Sequence, residues 1–175
     1  MAAVKPTDWP AAAPIDSHRL RLEPLRVDHA DLLAPVLDDP ALHEFTGGGP
    51  ATVPQLRDRF ARQVVGHSPS GEEGWLNWVA HRTDSGAPVG TMQATVTLEQ
   101  GRKVAEVAWV VATAHQRRGY ATEAAAAMVA WLRGQGVESF RAHVHPDHVA
   151  SAAVARSLGL RPTDVRVDGE VRWES

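Results

Sequence analysis

Two hydrophobic periods alternate along the chain, and their order predicts a mixed α/β layout. Residues 103–111 (KVAEVAWVV) are rich in Val and Trp, as a half-buried pleated strand prefers. After a short polar loop, Ala121, Ala124, Ala125, Met128, Trp131 and Leu132 recur at helical spacing, and Gly134 and Gly136 supply a stop. Upstream, residues 18–24 alternate polar and apolar and read as a strand. Asp28 is placed to cap a helix from 29 towards 37, which Pro35 should kink or split. Asp39-Pro40 opens a second short helical turn ending near Phe45, and Thr46 to Pro50 reads as a flexible loop. Leu56, Phe60 and Val64 mark one face of a helix over 53–65. Residues 75–81, 88–98 and 103–111 form a predicted antiparallel meander, joined at Asp84-Ser85-Gly86 and Gln100-Gly101. Residues 139–145 give another strand, and a helix opens at Asp147 or His148 and ends at Leu158-Gly159. A closing hairpin over 161–173 turns at Asp168-Gly169.

The loop between the central strand and helix carries the first candidate chemistry. Gln116, Arg117, Arg118, Gly119, Tyr120, Ala121 and Thr122 put two arginines and a glycine at a helix N-terminus. Unpaired N–H groups and the helix dipole favour an anion there, and a glycine lets backbone approach a phosphate closely. The residues alone leave two readings, an ordinary turn with solvated arginines or a phosphate site. Gly47-Gly48-Gly49 is a loop rather than a second phosphate cradle, because no Lys-Ser or Lys-Thr follows it.

The spacing Gln116-x-x-Gly119-x-Ala121, after a strand and before a helix, resembles the acyl-CoA pyrophosphate loop of the GNAT superfamily of N-acetyltransferases. Three further phrases resemble its Rim-type branch. They are Leu20-Arg21-Leu22-Glu23-Pro24-Leu25 with Asp28, the Glu106 strand with Gly119-Tyr120-Ala121-Thr122-Glu123-Ala124, and Pro146 to Ser151 followed by Ser157-Leu158-Gly159-Leu160. The resemblance covers roughly 15–175 and implies a GNAT fold, of α/β (α+β) class. That means a twisted, mostly antiparallel sheet of six to seven strands, flanked by helices and splayed at the acyl-CoA site. One domain over 15–175 is expected, behind a flexible segment over 1–14.

Composition narrows the setting. A length of 175 residues suits one domain with a sizeable core, and a net charge of −3 indicates no nucleic-acid or anionic-membrane surface. The absence of cysteine excludes disulfides, thiolate metal sites and a cysteine nucleophile, and fits a cytoplasmic setting. No apolar run is long enough to span a bilayer.

By the resemblance, the function is acetyl-CoA-dependent N-acetylation of a primary amine, on a small molecule or a protein N-terminus, by direct attack. The protein is expected as a monomer or homodimer. Backbone groups of Trp109, Val110 and Val111 would hold the pantetheine arm, and residues 116–122 the pyrophosphate. Glu106, the one acid in its strand, would be a base strengthened by burial; otherwise it is a solvent-facing or Arg-paired carboxylate. The Ser151 hydroxyl would bond the CoA sulfur; otherwise it satisfies helix backbone. Two positions depart from the pattern. His148 stands where the family has a pantetheine-binding Asn, and Ala155 where many members have a Tyr general acid. His143, His145 and His148 lack a fourth ligand, so no metal is expected. Of Trp75 and Trp78, on opposite strand faces, one should be core. The other, with Phe45 and the 47–50 loop, should line the acceptor pocket. A catalytically degenerate CoA-binding module and another kind of phosphate-binding domain are the rival readings.

Overall fold

A computed structural model of the chain describes residues 8–45 and 48–175. Eight strands form one open sheet in the order β1-β2-β3-β4-β5-β6-β8-β7. They are β1 (Ile15–Asp16), β2 (Leu20–Pro24), β3 (Gly74–Arg82), β4 (Pro88–Glu99), β5 (Arg102–Val111), β6 (Val137–Val144), β7 (Arg161–Val167) and β8 (Glu170–Glu174). Four α-helices accompany them among the described residues: α1 (His29–Val36), α2 (Val53–Gln63), α3 (Tyr120–Gly134) and α4 (Val149–Ser157). Short 3-10 turns occupy Pro40–His43 and Thr113–His115. The sheet is antiparallel except where β5 meets β6, the two strands bridged by α3. None of these helices is long and apolar enough to cross a membrane.

Alternation along the strands separates two layers. Leu20, Leu22, Leu76, Trp78, Met92, Ala94, Val96, Ala105 and Val107 face one side, and pack with Ala124, Met128 and Leu132 of α3 and Ala155 of α4. On the other side α1 and α2 bury Ala30, Leu33, Leu56 and Phe60 against Val79. That second cover spans only the β2–β4 part of the sheet, so the same face of β5, β6 and β8 stays open.

Several local expectations change. The sheet has eight strands rather than six or seven, because a two-residue strand, β1, pairs with β2. Residues 9–14, expected within a flexible segment, lie against the sheet. Trp9 is buried with its Nε1–H donating to Gly71 O at 3.0 Å, and Ala13 O accepts from Trp78 Nε1 at 2.8 Å. Burying two indoles together outweighs the Ala- and Pro-rich composition. Residues 1–7 lie outside the described residues, as do Thr46 and Gly47 of the expected loop. Asp28 makes no side-chain cap on α1; its carboxylate accepts from Arg26 Nε at 3.0 Å instead. Pro35 neither splits nor displaces α1, since it falls in the last turn of an eight-residue helix, where few hydrogen bonds remain to be lost. For α2, Thr52 and Gln55 form a reciprocal capping box. At the closing hairpin Asp168 and Gly169 adopt φ of 50° and 83°, the left-handed pair a two-residue turn requires.

The partial pairing of β5 with β6 sets up the site. Lys103, Val104, Ala105 and Glu106 pair with Val137, Ser139, Phe140 and Arg141. Beyond Glu106, β5 stays with β4 as far as Val111, whereas β6 continues along β8 through Val144. The two strands therefore part, opening a V between the second half of β5 and the end of β6.

Candidate functional site

Strand alternation decides which backbone groups of β5 face the V. In an antiparallel ladder successive residues direct their N–H and C=O groups to opposite neighbours. Ala112 N–H donates to Val89 O at 2.8 Å, so Val110 also faces β4, and Trp109 and Val111 face the opening. The Val111 carbonyl confirms the direction by accepting from Gln116 Nε2 at 2.9 Å. Val110 is thus removed from the expected set of backbone ligands, because β4 takes its polar groups. Gly90 of β4 lies so close there that a Cβ would sit 1.9 Å from Val110 O. The sequence offered Gly90 only as one glycine among fourteen.

The loop from β5 to α3 closes the apex of the V. Arg117 and Gly119 both adopt left-handed backbone, with φ of 61° and 80°. Such turns bring successive N–H groups to a common side, a concavity that suits anions. Gly119 is the N-cap of α3 and offers no side chain, so the first-turn N–H groups keep their outward capacity. Arg117, Arg118 and Thr122 are exposed, and Ala121 is half-buried. Gln116 spends its amide on Val111, and the Tyr120 ring is buried beneath Arg19, whose Cζ lies 4.6 Å from the ring centroid. Both residues shape the loop with their side chains, leaving backbone as their route to a ligand.

Two arginines that the sequence did not single out complete this end. Arg19 Nε donates to Glu123 Oε1 at 2.8 Å, and Arg19 N and Ser17 Oγ donate to Glu123 Oε2 at 2.9 and 2.6 Å. Burial alone would push the Glu123 carboxyl up, but the Ser17 and Arg19 bonds outweigh it and hold the group below its ordinary value. The clamp fixes the chain before β2 onto the first turn of α3. Arg82 lies 5.9 Å from the Tyr120 centroid. Burial, then Arg118 and Arg82, hold the His115 imidazole below its ordinary value.

Across the V stands the N-terminus of α4. His148 is its N-cap, with Nδ1 accepting from Ser151 N at 3.3 Å, so the neutral ring carries its hydrogen on Nε2. The Ser151 hydroxyl has no acceptor or donor among the described residues, which leaves it free rather than spent on helix backbone. Phe45 stacks on His148 at 4.5 Å between centroids and tilts against His145 at 5.1 Å. This corrects the expected pocket of Phe45 with a tryptophan, since Trp75 bonds Glu73 Oε2 at 2.9 Å and Trp78 is core. The connection between α1 and α2 carries Phe45 across to α4 instead. Thr113 Oγ1 donates to Asp39 Oδ2 at 2.6 Å and ties that connection to the turn after β5 as well. Ala155 is fully buried and brings no hydroxyl.

Burial, and secondarily His145, hold His148 below its ordinary value, with Glu44 opposing. An unfolded histidine titrates near 6.5, so below that pH the unfolded chain binds the extra proton and the folded chain resists it. Stability should therefore fall as pH drops from 6.5 through the lower folded value. A His148→Asn protein keeps a good N-cap residue but has no titrating ring. Its urea midpoint should decline less than wild type between pH 7 and 5, and an equal decline would remove His148 from the effect.

Glu106 departs from expectation. It lies on the open face, its side chain 56% exposed, and accepts from His143 Nδ1 at 3.0 Å. The burial that was to strengthen it as a base does not occur, because α1 and α2 do not reach β5. His143 and His145 do share that face, but with His148 they form no metal-ligand cluster. Among the described residues the one such group is Glu23, His29 and His81. There Arg26 N–H donates to His29 Nδ1 at 2.9 Å, so the neutral ring presents Nε2–H, a donor towards Glu23 rather than a lone pair for a metal. Arg26 also holds the Glu23 carboxylate. A depression of about 500 Å³ beside Pro50, Gln55 and Arg59 lies on α2, away from all these groups.

A family model of the acetyltransferase (GNAT) domain matches residues 19–161, more than half of the chain. No curated protein matches it. Among solved structures, an acetyltransferase of the GNAT family from Bacillus anthracis is similar, with a TM-score of 0.74 at 16% identity over 93% of this chain and 96% of that one. An acetyltransferase from Agrobacterium tumefaciens reaches a TM-score of 0.70 at 23% identity, covering 95% of this chain and 96% of that one. The ribosomal L7/L12 alpha-N-protein acetyltransferase RimL, solved in complex with coenzyme A, gives 0.75 at 17% identity, covering 93% and 97%. At these identities the likeness is one of fold.

Proposed function

The chain belongs to the GNAT acetyltransferase family, and from that premise we propose that it transfers the acetyl group of acetyl-CoA to a primary amine by direct attack. The observation that carries this reading is the edge of β5 at Trp109 and Val111 that no strand pairs, followed after the Thr113–His115 turn by the open helix N-terminus at Gly119. One end offers the N–H and C=O of Trp109 and the N–H of Val111 to an amide-bearing arm, the Val111 carbonyl being held by Gln116. The other offers N–H groups, a dipole and Arg117 and Arg118 to a pyrophosphate. That pairing fits pantetheine and diphosphate in one extended molecule, and the coenzyme A bound to the RimL structure supports it. It fits a compact nucleotide without an amide arm poorly.

In the reaction the neutral amine nitrogen attacks the acetyl carbonyl carbon. A nitrogen–carbon bond forms, the carbon–sulfur bond breaks, and CoA leaves as thiolate. A β5 N–H holds the carbonyl oxygen as its charge grows, a contact typically worth about a hundredfold in rate. Glu106 takes the amine's proton through water. Ser151 donates to the departing sulfur, which suits its free hydroxyl on the far wall of the V. The exposed Glu106 carboxylate on the open face favours a cationic acceptor. A small molecule or a protein N-terminus qualifies, a Rim-type role being the protein case. A cytoplasmic location fits the cysteine-free sequence.

Ser151→Ala should retain transfer but slow it, by roughly five- to two-hundredfold for the loss of about 1–3 kcal/mol at the thiolate. Wild-type turnover in that variant at saturating acetyl-CoA would remove Ser151 from the chemistry. The reading as a whole is tested by incubating the protein and acetyl-CoA with polyamines, aminoglycosides, amino acids and peptides. The expected result is one free thiol per acetylated amine. Tight CoA binding with no thiol release from any amine class would establish the non-catalytic module instead.

A further inference from the structure

The open sheet face carries a row of side chains that neither the strand pattern nor the family pattern assigns. His143 of β6 stands opposite Arg172 of β8 in register, and Arg141 stands beside Glu106 of β5. His143 Nδ1 lies 3.0 Å from Glu106 Oε1, and Arg172 Nε donates to His143 Nε2 at 3.5 Å. A guanidinium only donates, so Nε2 must hold a lone pair and the ring hydrogen must sit on Nδ1. The tautomer is thereby fixed, and Nδ1–H points at Glu106. Both ring nitrogens are occupied, which leaves His143 no part as a free base. Its side chain is 13% exposed, against 56% for the carboxylate it holds.

We propose that His143, locked by Arg172, is a positioning residue that fixes the Glu106 carboxylate in one rotamer facing the acceptor. An exposed glutamate otherwise samples several rotamers, and one directional bond from a half-buried ring selects among them. Oε1 is committed to His143, and Oε2 stays open for the water that carries the amine's proton. The surroundings keep the ring in place. Arg141 bonds Glu99 Oε2 at 2.7 Å and reaches Glu174 Oε1 at 3.3 Å, and Arg172 lies 3.8 Å from that same oxygen. From the other end His145 and Glu170 face the ring. Burial, opposed by His143 and His145 and aided by Glu106 and Asp168, pushes the Glu170 carboxyl up, so Glu170 competes weakly for Nδ1–H. This role rests on the acetyl-transfer reading, since Glu106 needs a reaction to serve.

The test is a double-mutant cycle on the intact protein, with the best amine found and saturating acetyl-CoA. His143→Ala should lower kcat/KM at neutral pH at least about tenfold, as expected for losing a hydrogen bond to a charged group. CoA affinity should not move. His143→Asn can return an N–H to the Nδ1 position and should recover most of the loss, whereas His143→Gln should not. Adding His143→Ala to Glu106→Gln should cost no further activity, and the deficit of each single variant should shrink as pH rises. Losses that multiply in the double variant, or an unchanged kcat/KM in His143→Ala, would overturn the positioning role while wild-type turnover upheld the acetyl-transfer reading. Nitrogen NMR of wild-type His143 gives a readout free of turnover. The Nδ1–H tautomer is expected, and the Nε2–H tautomer would refute the geometry. A wild type inactive with every amine would sink the acetyl-transfer reading, and this role with it.

Discussion

A Gly119→Val protein is expected to bind CoA at least about a hundredfold more weakly than wild type, the scale of losing two charge-assisted bonds from backbone to phosphate. Two physical causes act together. Gly119 holds a φ of 80°, which a β-branched residue adopts only under strain. Its added Cβ would also stand where the chain must approach the anion, 3.3 Å from Arg19 Nη2. The strain amounts to about 1–3 kcal/mol, so the variant's circular dichroism and melting temperature must accompany the calorimetric titration. Gly119→Ala, with less strain, keeps the comparison open should the valine protein melt. Arg117→Ala should cost less affinity, and the difference should shrink in high salt, because an exposed guanidinium is screened. Wild-type CoA affinity in a folded Gly119→Val protein would remove the loop from the binding site.

Glu106→Gln is expected to leave CoA affinity unchanged and to lower kcat/KM at neutral pH by about a hundredfold, the low end for a general base. An alkyl amine titrates near 10.4, so at neutral pH nearly all of it is protonated and a proton must leave before or during attack. The strand pattern alone suggests a base strengthened by burial, and the structure replaces that reason. Glu106 is exposed, held by His143, and set on the part of its sheet face that α1 and α2 leave uncovered. A carboxylate so placed works through water and through its charge rather than through desolvation. The deficit should shrink as pH rises, because solution then supplies the neutral amine. A deficit that stays constant with pH would assign Glu106 to charge pairing with a cationic acceptor, and no deficit at all would give the proton to bulk water.

Local pattern makes much of this architecture legible in the sequence. The strands and the central helix follow from periods of two and 3.6, since each element buries one face. The turn from β5 into α3 is legible because a glycine at a strand-to-helix junction marks left-handed backbone. What stayed hidden depends on contacts distant in sequence. Trp9 lies in an Ala- and Pro-rich stretch, and the Gly71 carbonyl and the Trp78 indole, far along the chain, explain why that stretch packs. Val110 was grouped with Trp109 and Val111 because a strand reads as a unit, whereas ladder alternation assigns its polar groups to β4. Phe45 was placed with a tryptophan, since a loop's direction is not written in its composition. Glu106 could have been placed correctly. Ala105 and Val107, its neighbours, face the core, so Glu106 had to face the other way; what sequence could not say was that α1 and α2 stop short of it.

The central claim is that acyl-CoA lies along the unpaired edge of β5, with its phosphates at the start of α3 and its sulfur near α4. A titration of the 15N-labelled protein with CoA, followed by amide chemical shifts, tests this most directly. The account predicts saturable shifts concentrated at Trp109, Val111, Gly119 to Thr122 and Ser151, with Val110 less affected because its N–H is taken by β4. Saturable shifts clustered elsewhere, as along α2 or the outer strand β7, with the β5 edge and the Gly119 amide unmoved, would contradict it.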